Sequence, residues 1–482
     1  MMSRSVGERV ASNATLLIVS RILSRLIGLA VILLVTRLLG AAEFGKFSFA
    51  FSFVGLFVVI VGGGLNPLLT RETARHPERA GELLACTLLL KAGLLAVGFA
   101  ALFLSTRALV DDPASRSAIY LAAVSVFSVS FTTAVNGISR AFQRMQYEVF
   151  GFVVGKLILL GLCLSCYVNR VGLETVVAAF AAASLVELGT SLFFVRARLV
   201  TSGYTVTGAT VRFLLNRAPP FALSAVLGVI YFRIDMVMVR FLKGDLATGW
   251  YGGAYRFIEA VLFVPELMAG ALFPVLARKF IQSEPLTGIL TRSFRLFLVL
   301  ALPFALGATV LPRITRVLGG DFGGSEEVLP FLGWTMFFMF LNFLLVTALN
   351  AAERQSRVMI ALGGGAVANV VLNLLLVPRW GHVGAGIATL LSTVLVFAVE
   401  WRAVGRAVGS VGLTRFIVKP LLAGVSAAAV WRVFGEGNLL WVVPAGGAVY
   451  AAVLIALGGL PREDWDLLKG ALRGARSQAS EL

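Results

Sequence analysis

The chain has 482 residues, 58% of them hydrophobic and 14% charged, with a mean hydropathy of +0.90. Soluble domains carry about 45–50% apolar and about 25% charged residues, so a soluble multi-domain protein and a disordered chain are both excluded. Three cysteines exclude a disulfide framework. The net charge of +17 comes from basic residues scattered between apolar runs, a pattern of membrane topology and lipid headgroups rather than nucleic acid.

In chain order the apolar runs fall at 14–36, 47–69, 83–104, 117–136, 148–168, 173–195, 213–239, 254–275, 294–312, 328–350, 358–378, 384–404, 417–434 and 439–459. Crossing about 30 Å of hydrocarbon takes about 20 apolar residues, so the expectation is an all-α polytopic membrane protein with fourteen transmembrane helices. The runs are continuous and too long for β-barrel strands. The first ends at Thr36-Arg37 without a small-residue cleavage site, so no cleavable signal peptide is expected. With the N-terminus in the cytoplasm, 25 of the 42 basic residues fall on the cytoplasmic side, 11 on the other, and six within runs. That bias predicts a multi-pass protein of the cytoplasmic membrane with both termini inside. The tail 462–482 carries Trp465, Leu467, Leu468 and Leu472 among charges and is expected to lie on the membrane as an amphipathic helix.

The runs contain an internal repeat. Thr36-Arg37-Leu38-Leu39, Gly45-Lys46-Phe47 and Ala50 find counterparts in Val239-Arg240-Phe241-Leu242, Gly249-Trp250-Tyr251 and Ala254. Further on, Asn136 pairs with Asn350, Arg144 with Arg357, Lys156 with Asn369, and Val171-Gly172 with Val383-Gly384. The predicted organisation is an N-lobe at 1–200 and a C-lobe at 201–406. A basic cytoplasmic linker at 196–217 joins them, and two extra helices fill 407–461. Six helices per lobe make the repeat parallel, which suits two lobes rocking around a central cavity.

Enzyme chemistry is absent. Gly151-Phe-Val-Val-Gly155-Lys156 is one residue short of a phosphate loop, lacks its Ser or Thr, and sits inside an apolar run. His76 and His382 read as solvated loop residues, and Cys163 and Cys166 as small packing residues. No metal cluster and no catalytic set is expected, and no cofactor; a coupling Na+ or H+ is left open.

Ionisable residues at membrane depth are the functional candidates. Arg21 and Arg25 share one face of run 1. They either line a wet cavity or snorkel to the surface. Lys91 and Lys156 sit mid-run, as cavity cations or as partners of Glu187 or an amide. Arg256 and Glu259 can pair three residues apart. Arg233 and Asp235 point apart. Asp235 either bridges to Arg256 or, like Glu259, serves a coupling ion.

Several stretches resemble a known family. Thr36-Arg37-Leu38-Leu39-Gly40-Ala-Ala-Glu43-Phe44-Gly45 resembles the stretch after the first helix of polysaccharide-export flippases, with Ala41 in place of the usual Pro. Tyr231-Phe-Arg-Ile-Asp235, Gly249-Trp-Tyr251-Gly-Gly-Ala254-Tyr255-Arg256 and Leu272-Phe273-Pro274 are similar to the pattern of their helices 7 and 8. Asn369-Val-Val-Leu-Asn373 through Pro378, Gly381, Gly384-Ala385-Gly386 and Ala388-Thr389 is the most specific match, with Gly386 in place of the usual Ala. The chain thus resembles the oligosaccharide-lipid flippase branch of the multidrug/oligosaccharidyl-lipid/polysaccharide exporter superfamily. The resemblance implies translocation of a polyprenyl-(pyro)phosphate-linked glycan; the cations at membrane depth, Arg21, Arg25, Lys156 and Lys91, are then the candidate phosphate contacts. A lipid II flippase and a cation-coupled multidrug exporter are the alternatives within the superfamily. The implied partners are the lipid-linked glycan, membrane lipids, and a glycan polymerase or glycosyltransferases. The protein is expected to be a monomer that binds no nucleic acid.

Overall fold

The computed structural model describes the backbone of residues 6–200, 203–409, 414–459 and 461, and side chains for 23–200, 203–409, 417–459 and 461. The amphipathic tail expected at 462–482 lies outside the described residues. All long elements among the described residues are α-helices. In chain order they are α1 (Val6–Gly62), α2 (Leu65–Arg75), α3 (Ala80–Leu109), α4 (Pro113–Ala141), α5 (Met145–Val168), α6 (Leu173–Phe194) and α7 (Gly208–Arg217). There follow α8 (Pro219–Val261), α9 (Phe263–Ile281), α10 (Thr287–Val310), α11 (Ser325–Ala351), α12 (Gln355–Ala407), α13 (Thr414–Val433) and α14 (Leu439–Ala456).

The runs do not map one to a helix. The 57 residues of α1 would span about 85 Å at 1.5 Å per residue, far beyond one bilayer. Gly40, at φ 71°, breaks α1 into two legs. Gly244 at φ 82° does the same in α8, and Gly381 at φ 57° in α12. Ten described stretches are long and apolar enough to cross a membrane, and the three that contain these glycines, at 40, 63 and 53 residues, are long enough to cross twice. The charged gaps 37–46 and 240–253, which read as loops, are therefore helix ends meeting at a left-handed glycine. Only glycine takes that conformation without a Cβ penalty.

The chain divides into two compact units, one up to Arg240 and one from Phe241. In the first, α4 packs on α6, and α1 packs on α3, α4 and α5. Phe47 and Phe51 of α1 pack tilted against each other and edge-on against Phe180 of α6, with ring centroids 4.7–5.4 Å apart. The helix α7 and the first leg of α8 belong to this unit. Leu214 and Ala218 close a core cluster with Leu65, Leu68 and Cys86. In the second unit α11 packs between α10 and α12, and the last pair of helices packs on α10. Trp431 and Tyr450 anchor that pair, with the Tyr450 hydroxyl donating to the Val299 carbonyl at 2.8 Å.

Turn geometry sharpens the repeat. Gly40 and Gly244 make the same inter-leg break, 204 residues apart, the offset already read from Gly45 and Gly249. Gln143 and Glu353, at φ 54° and 57°, end α4 and α11 alike. The Arg144 amide reaches back to Ser139, and the Arg354 amide to Leu349, each at 2.8 Å. This is the left-handed helix stop, built without glycine. It aligns Arg144 with Arg354. The pairing of Arg144 with Arg357 is corrected by three residues, because the turn fixes a register that apolar helix interiors do not.

Candidate functional site

In the first unit the sharpest feature is a helix break with a buried cation beside it. Helix α1 stops at Gly62, and Gly63 and Gly64 take φ 52° and 70° before α2 begins. A Cβ on Gly64 would lie 2.5 Å from the Ala218 carbonyl oxygen and the Ala222 nitrogen. The break therefore rests directly on the backbone where α7 gives way to α8. One residue into α2, the Asn66 side-chain oxygen accepts from the Lys91 ammonium at 3.1 Å. The Ser130 hydroxyl of α4 accepts from it at 2.8 Å, and the Phe131 ring lies 5.3 Å away. Lys91 is fully enclosed and ties α2, α3 and α4 together. Of the partners weighed for it, the amide is the one present.

Arg25 lies exposed on the first leg of α1, off the packed stripe of Ser24, Ile27, Val31 and Val35. The Arg21 side chain lies outside the described residues. Lys156 is half-buried on α5, over the Phe152 ring at 5.4 Å and within electrostatic reach of Glu187 on α6. The Gly151-x-x-x-Gly155 stretch is explained by this contact. A Cβ at Gly151 would sit 2.9 Å from the Ser191 hydroxyl, and one at Gly155 2.9 Å from the Glu187 Cβ. It is a small-residue face that lets two membrane helices approach closely. Arg233 is half-buried and Asp235 buried on the first leg of α8, where the Asp235 carboxylate accepts from the Met236 amide at 2.7 Å.

The basic linker is docked rather than strung free. Thr207 caps α7, and the hydroxyls of Thr207 and Thr210 both donate to Glu82 at 2.5 Å. Arg79 closes the cluster through Glu82 at 3.0 Å and Thr210 at 2.8 Å.

In the second unit Arg256 donates to Glu259 on the same helix face, as the spacing predicts. The signature stretch of α12 forms a buried polar seam. Asn373 donates to the Asn369 carbonyl at 2.8 Å and Asn369 to the Ser392 hydroxyl at 3.2 Å. The hydroxyls of Tyr251 and Thr389 meet at 3.1 Å, joining α8 to α12. Gly384 and Gly386 are needed for close packing. A Cβ would meet the Leu376 carbonyl oxygen at 2.4 Å and the Val328 side chain at 2.5 Å, respectively. The second contact explains why glycine stands at 386 where alanine is usual.

His382 overturns its reading as a solvated loop residue. It is buried beside the Gly381 break, hydrogen-bonded to the Gly324 carbonyl at 2.9 Å and packed 5.1 Å from the Trp250 ring. His76 is exposed as expected, while Cys163 and Cys166 are buried and unpaired with each other. No group of three or more metal-ligating side chains exists among the described residues. Among the ionisable residues at depth that sequence reasoning passed over is Glu400. Glu400 on the second leg of α12 is buried at 2% exposure, and its Oε2 has no hydrogen-bond partner. A carboxylate four residues inside the end of run 12 was the available signal.

Residues 10–280 match the family described as Polysaccharide biosynthesis protein, and residues 220–375 the family described as MatE. The Probable flippase AglR of Haloferax volcanii is 24% identical over 91% of this chain and 94% of its own length. The Probable low-salt glycan biosynthesis flippase Agl15 of the same organism is 20% identical over 74% of this chain and 75% of its own. Among solved structures, the lipid II flippase MurJ in an inward closed conformation superposes with a TM-score of 0.72 at 14% identity. It covers 90% of this chain and 97% of its own. An inward-facing multidrug resistance MATE family transporter gives 0.65 at 16% identity over 80% and 95%. The fold is therefore that of polytopic helical transporters, and with more than half its length matched, the chain belongs to the polysaccharide biosynthesis protein family.

Proposed function

We propose that this protein is a flippase that moves a polyprenyl-(pyro)phosphate-linked oligosaccharide from the cytoplasmic to the outer leaflet of the cell membrane. The observation that carries the reading is the similarity, nearly end to end, to a protein named as a probable flippase. A second relative named for glycan biosynthesis supports it. The physics is consistent. A glycan and its phosphate cannot enter hydrocarbon unaided, and the first unit offers cations at membrane depth. Arg25, exposed on α1, and Lys156, half-buried on α5, are side chains able to give charge-assisted hydrogen bonds to a phosphate. Arg21, one turn before Arg25, extends the same basic stripe in the sequence. Lys91 is enclosed and acts on structure rather than on substrate. The glycosyltransferases that build such a glycan on its lipid would supply the substrate.

The decisive test is reconstitution of the purified chain in vesicles that carry a polyprenyl-pyrophosphate oligosaccharide, with lectin access from outside as the readout. Outer-leaflet glycan should rise above protein-free vesicles, and Arg25→Ala should abolish the rise while Arg25→Lys restores it partly, since charge returns without the bidentate fork. Vesicles that move lipid II and not the oligosaccharide would transfer the protein to peptidoglycan synthesis.

The orientation proposed from the basic residues places both termini and the docked linker in the cytoplasm. Thr205→Cys should resist a membrane-impermeant thiol reagent added to whole cells, while the fully exposed Asp111→Cys should react. The opposite pattern would invert the topology.

A further inference from the structure

Glu400 is the buried carboxyl that the function above leaves unused. It lies on the packed face of the second leg of α12. Ala385, Thr389, Thr393, Val396, Glu400 and Val404 follow one another at spacings of three or four residues, all under 5% exposed. Leu391 and Leu395, off that stripe, are 46% and 43% exposed. The carboxyl thus points into the protein, along the line that carries the Thr389–Tyr251 seam. It sits about 10 Å from the end of the helix at Ala407, at 1.5 Å per residue.

The surroundings offer it no counter-charge. No ion pair within 4.0 Å among the described residues includes Glu400, and its Oε2 accepts no hydrogen bond. The neighbouring helix α11 carries only Glu326 and Glu327, both in its first turn at the far end, with Glu326 held by Arg316. On α10, Phe294 packs against Trp401 at 5.3 Å. Arg292 and Arg295 flank Phe294 in sequence, and neither reaches Glu400 within ion-pair distance. On α12 itself Arg402 and Arg406 are exposed on other faces. An isolated carboxylate in such a place is expensive, and the usual outcome is that the group takes a proton instead. A metal cation would need several converging oxygens, and no group of three His, Cys, Asp or Glu side chains that could hold one occurs among the described residues. A proton needs one.

We propose that Glu400 is a proton-carrying residue of the second unit, whose carboxyl takes up one proton and releases it again in each transport cycle. On uptake an O–H bond forms on the carboxylate with a proton drawn from water; on release that proton returns to water, and no electrons move. This rests on the transport reading above and adds its coupling ion. With one proton exchanged per cycle, a pH gradient of one unit biases the leaflet distribution about tenfold.

Two measurements test it on the full chain in vesicles. The first uses dicyclohexylcarbodiimide, which adds to protonated carboxyls in apolar surroundings, with mass spectrometry of the Glu400 peptide. Labelling at Glu400 that is strongest in mild acid and declines as pH rises is expected; no label at Glu400 in mild acid overturns the proposal. This arm needs no transport, so it stands even if the flippase reading fails. The second imposes a pH gradient or a Na+ gradient on vesicles holding the lipid-linked oligosaccharide. The wild type should respond to the pH gradient by up to tenfold, and Glu400→Gln should lose that response whatever its rate without a gradient. A Glu400→Gln protein that still responds, or a wild type driven by Na+ alone, overturns the proposal. Should Glu400→Gln not insert, Glu400→Asp in the labelling arm decides by the same criterion.

Discussion

Lys91 in the first unit and Glu400 in the second are both ionisable side chains buried inside apolar helices, and the two are treated in opposite ways. Lys91 of the first unit is closed off by an amide oxygen, a hydroxyl and an aromatic face, and it joins three helices. Glu400 of the second is equally buried, yet one of its oxygens has nothing to bond. Burial alone would class them together. Satisfaction separates them: a cation whose donors are met by fixed neutral acceptors is part of the frame, whereas a carboxyl left short is suited to change its protonation.

The largest expected effect breaks or confirms that distinction. Lys91→Ala removes the link between α2, α3 and α4 and leaves a cavity, so it should cost about 2–5 kcal/mol, the range for large-to-small core changes. Thermal unfolding of the detergent-solubilised protein should show a clear drop in Tm. Glu400→Gln keeps shape and puts a neutral amide where the carboxyl stood, so its Tm should stay within the scatter of surface variants or rise. Equal losses in the two variants would mean that Glu400, too, is a structural group.

The next effect concerns the break beside Lys91. Gly64→Ala places a methyl against the Ala218 and Ala222 backbone and forces a left-handed residue, which alone costs about 1–2 kcal/mol. Gly62→Ala, two residues away, meets nothing within 4 Å and should be silent or slightly stabilising. Circular dichroism melts of the pair decide it. Similar behaviour would show that the α1–α2 break is not pinned against α7 and α8.

The sequence made the membrane passes legible because each is a continuous apolar run, and the repeat legible because Arg37, Gly45 and Ala50 return in order. The joints were less readable. Charges around Arg37 and Lys46 look like a loop, but a single glycine with positive φ turns the chain while helix continues on both sides. The register between Arg144 and Arg354 depends on a turn whose key residues, Gln143 and Glu353, share no side-chain chemistry that predicts it. His382 looked solvated because its partners, Trp250 and the Gly324 carbonyl, are far away in sequence. Of the candidate site, the mid-run cations were visible as anomalies in apolar runs. Their roles were not, since Lys91 and Lys156 differ only in what surrounds them.

The smallest effect compares two helix caps, one in each unit. Asp112 opens α4 with its carboxylate accepting from the Ser115 amide at 3.0 Å and from the Ser115 hydroxyl at 2.7 Å, with Lys46 3.4 Å away. Asn438 opens α14 with its amide oxygen accepting from the Leu440 amide at 3.0 Å. Either cap replaced by Ala should cost about 1 kcal/mol. Only Asp112 titrates. The Ser115 hydrogen bonds, and after them Lys46, hold its carboxyl below the usual carboxylate range. A depressed folded value means that its contribution is complete above the unfolded value of about 3.9 and is lost as pH falls through the folded one. Backbone hydrogen exchange at the first turn of α4 should therefore quicken, relative to the first turn of α14, as pH is lowered below about 4. Asp112→Asn keeps an oxygen at the cap but has no proton to gain, so it should make the two turns respond alike. If the acid response of α4 persists in Asp112→Asn, the cap is not its source, and the Lys46–Glu43 pair at 2.9 Å becomes the group to vary next.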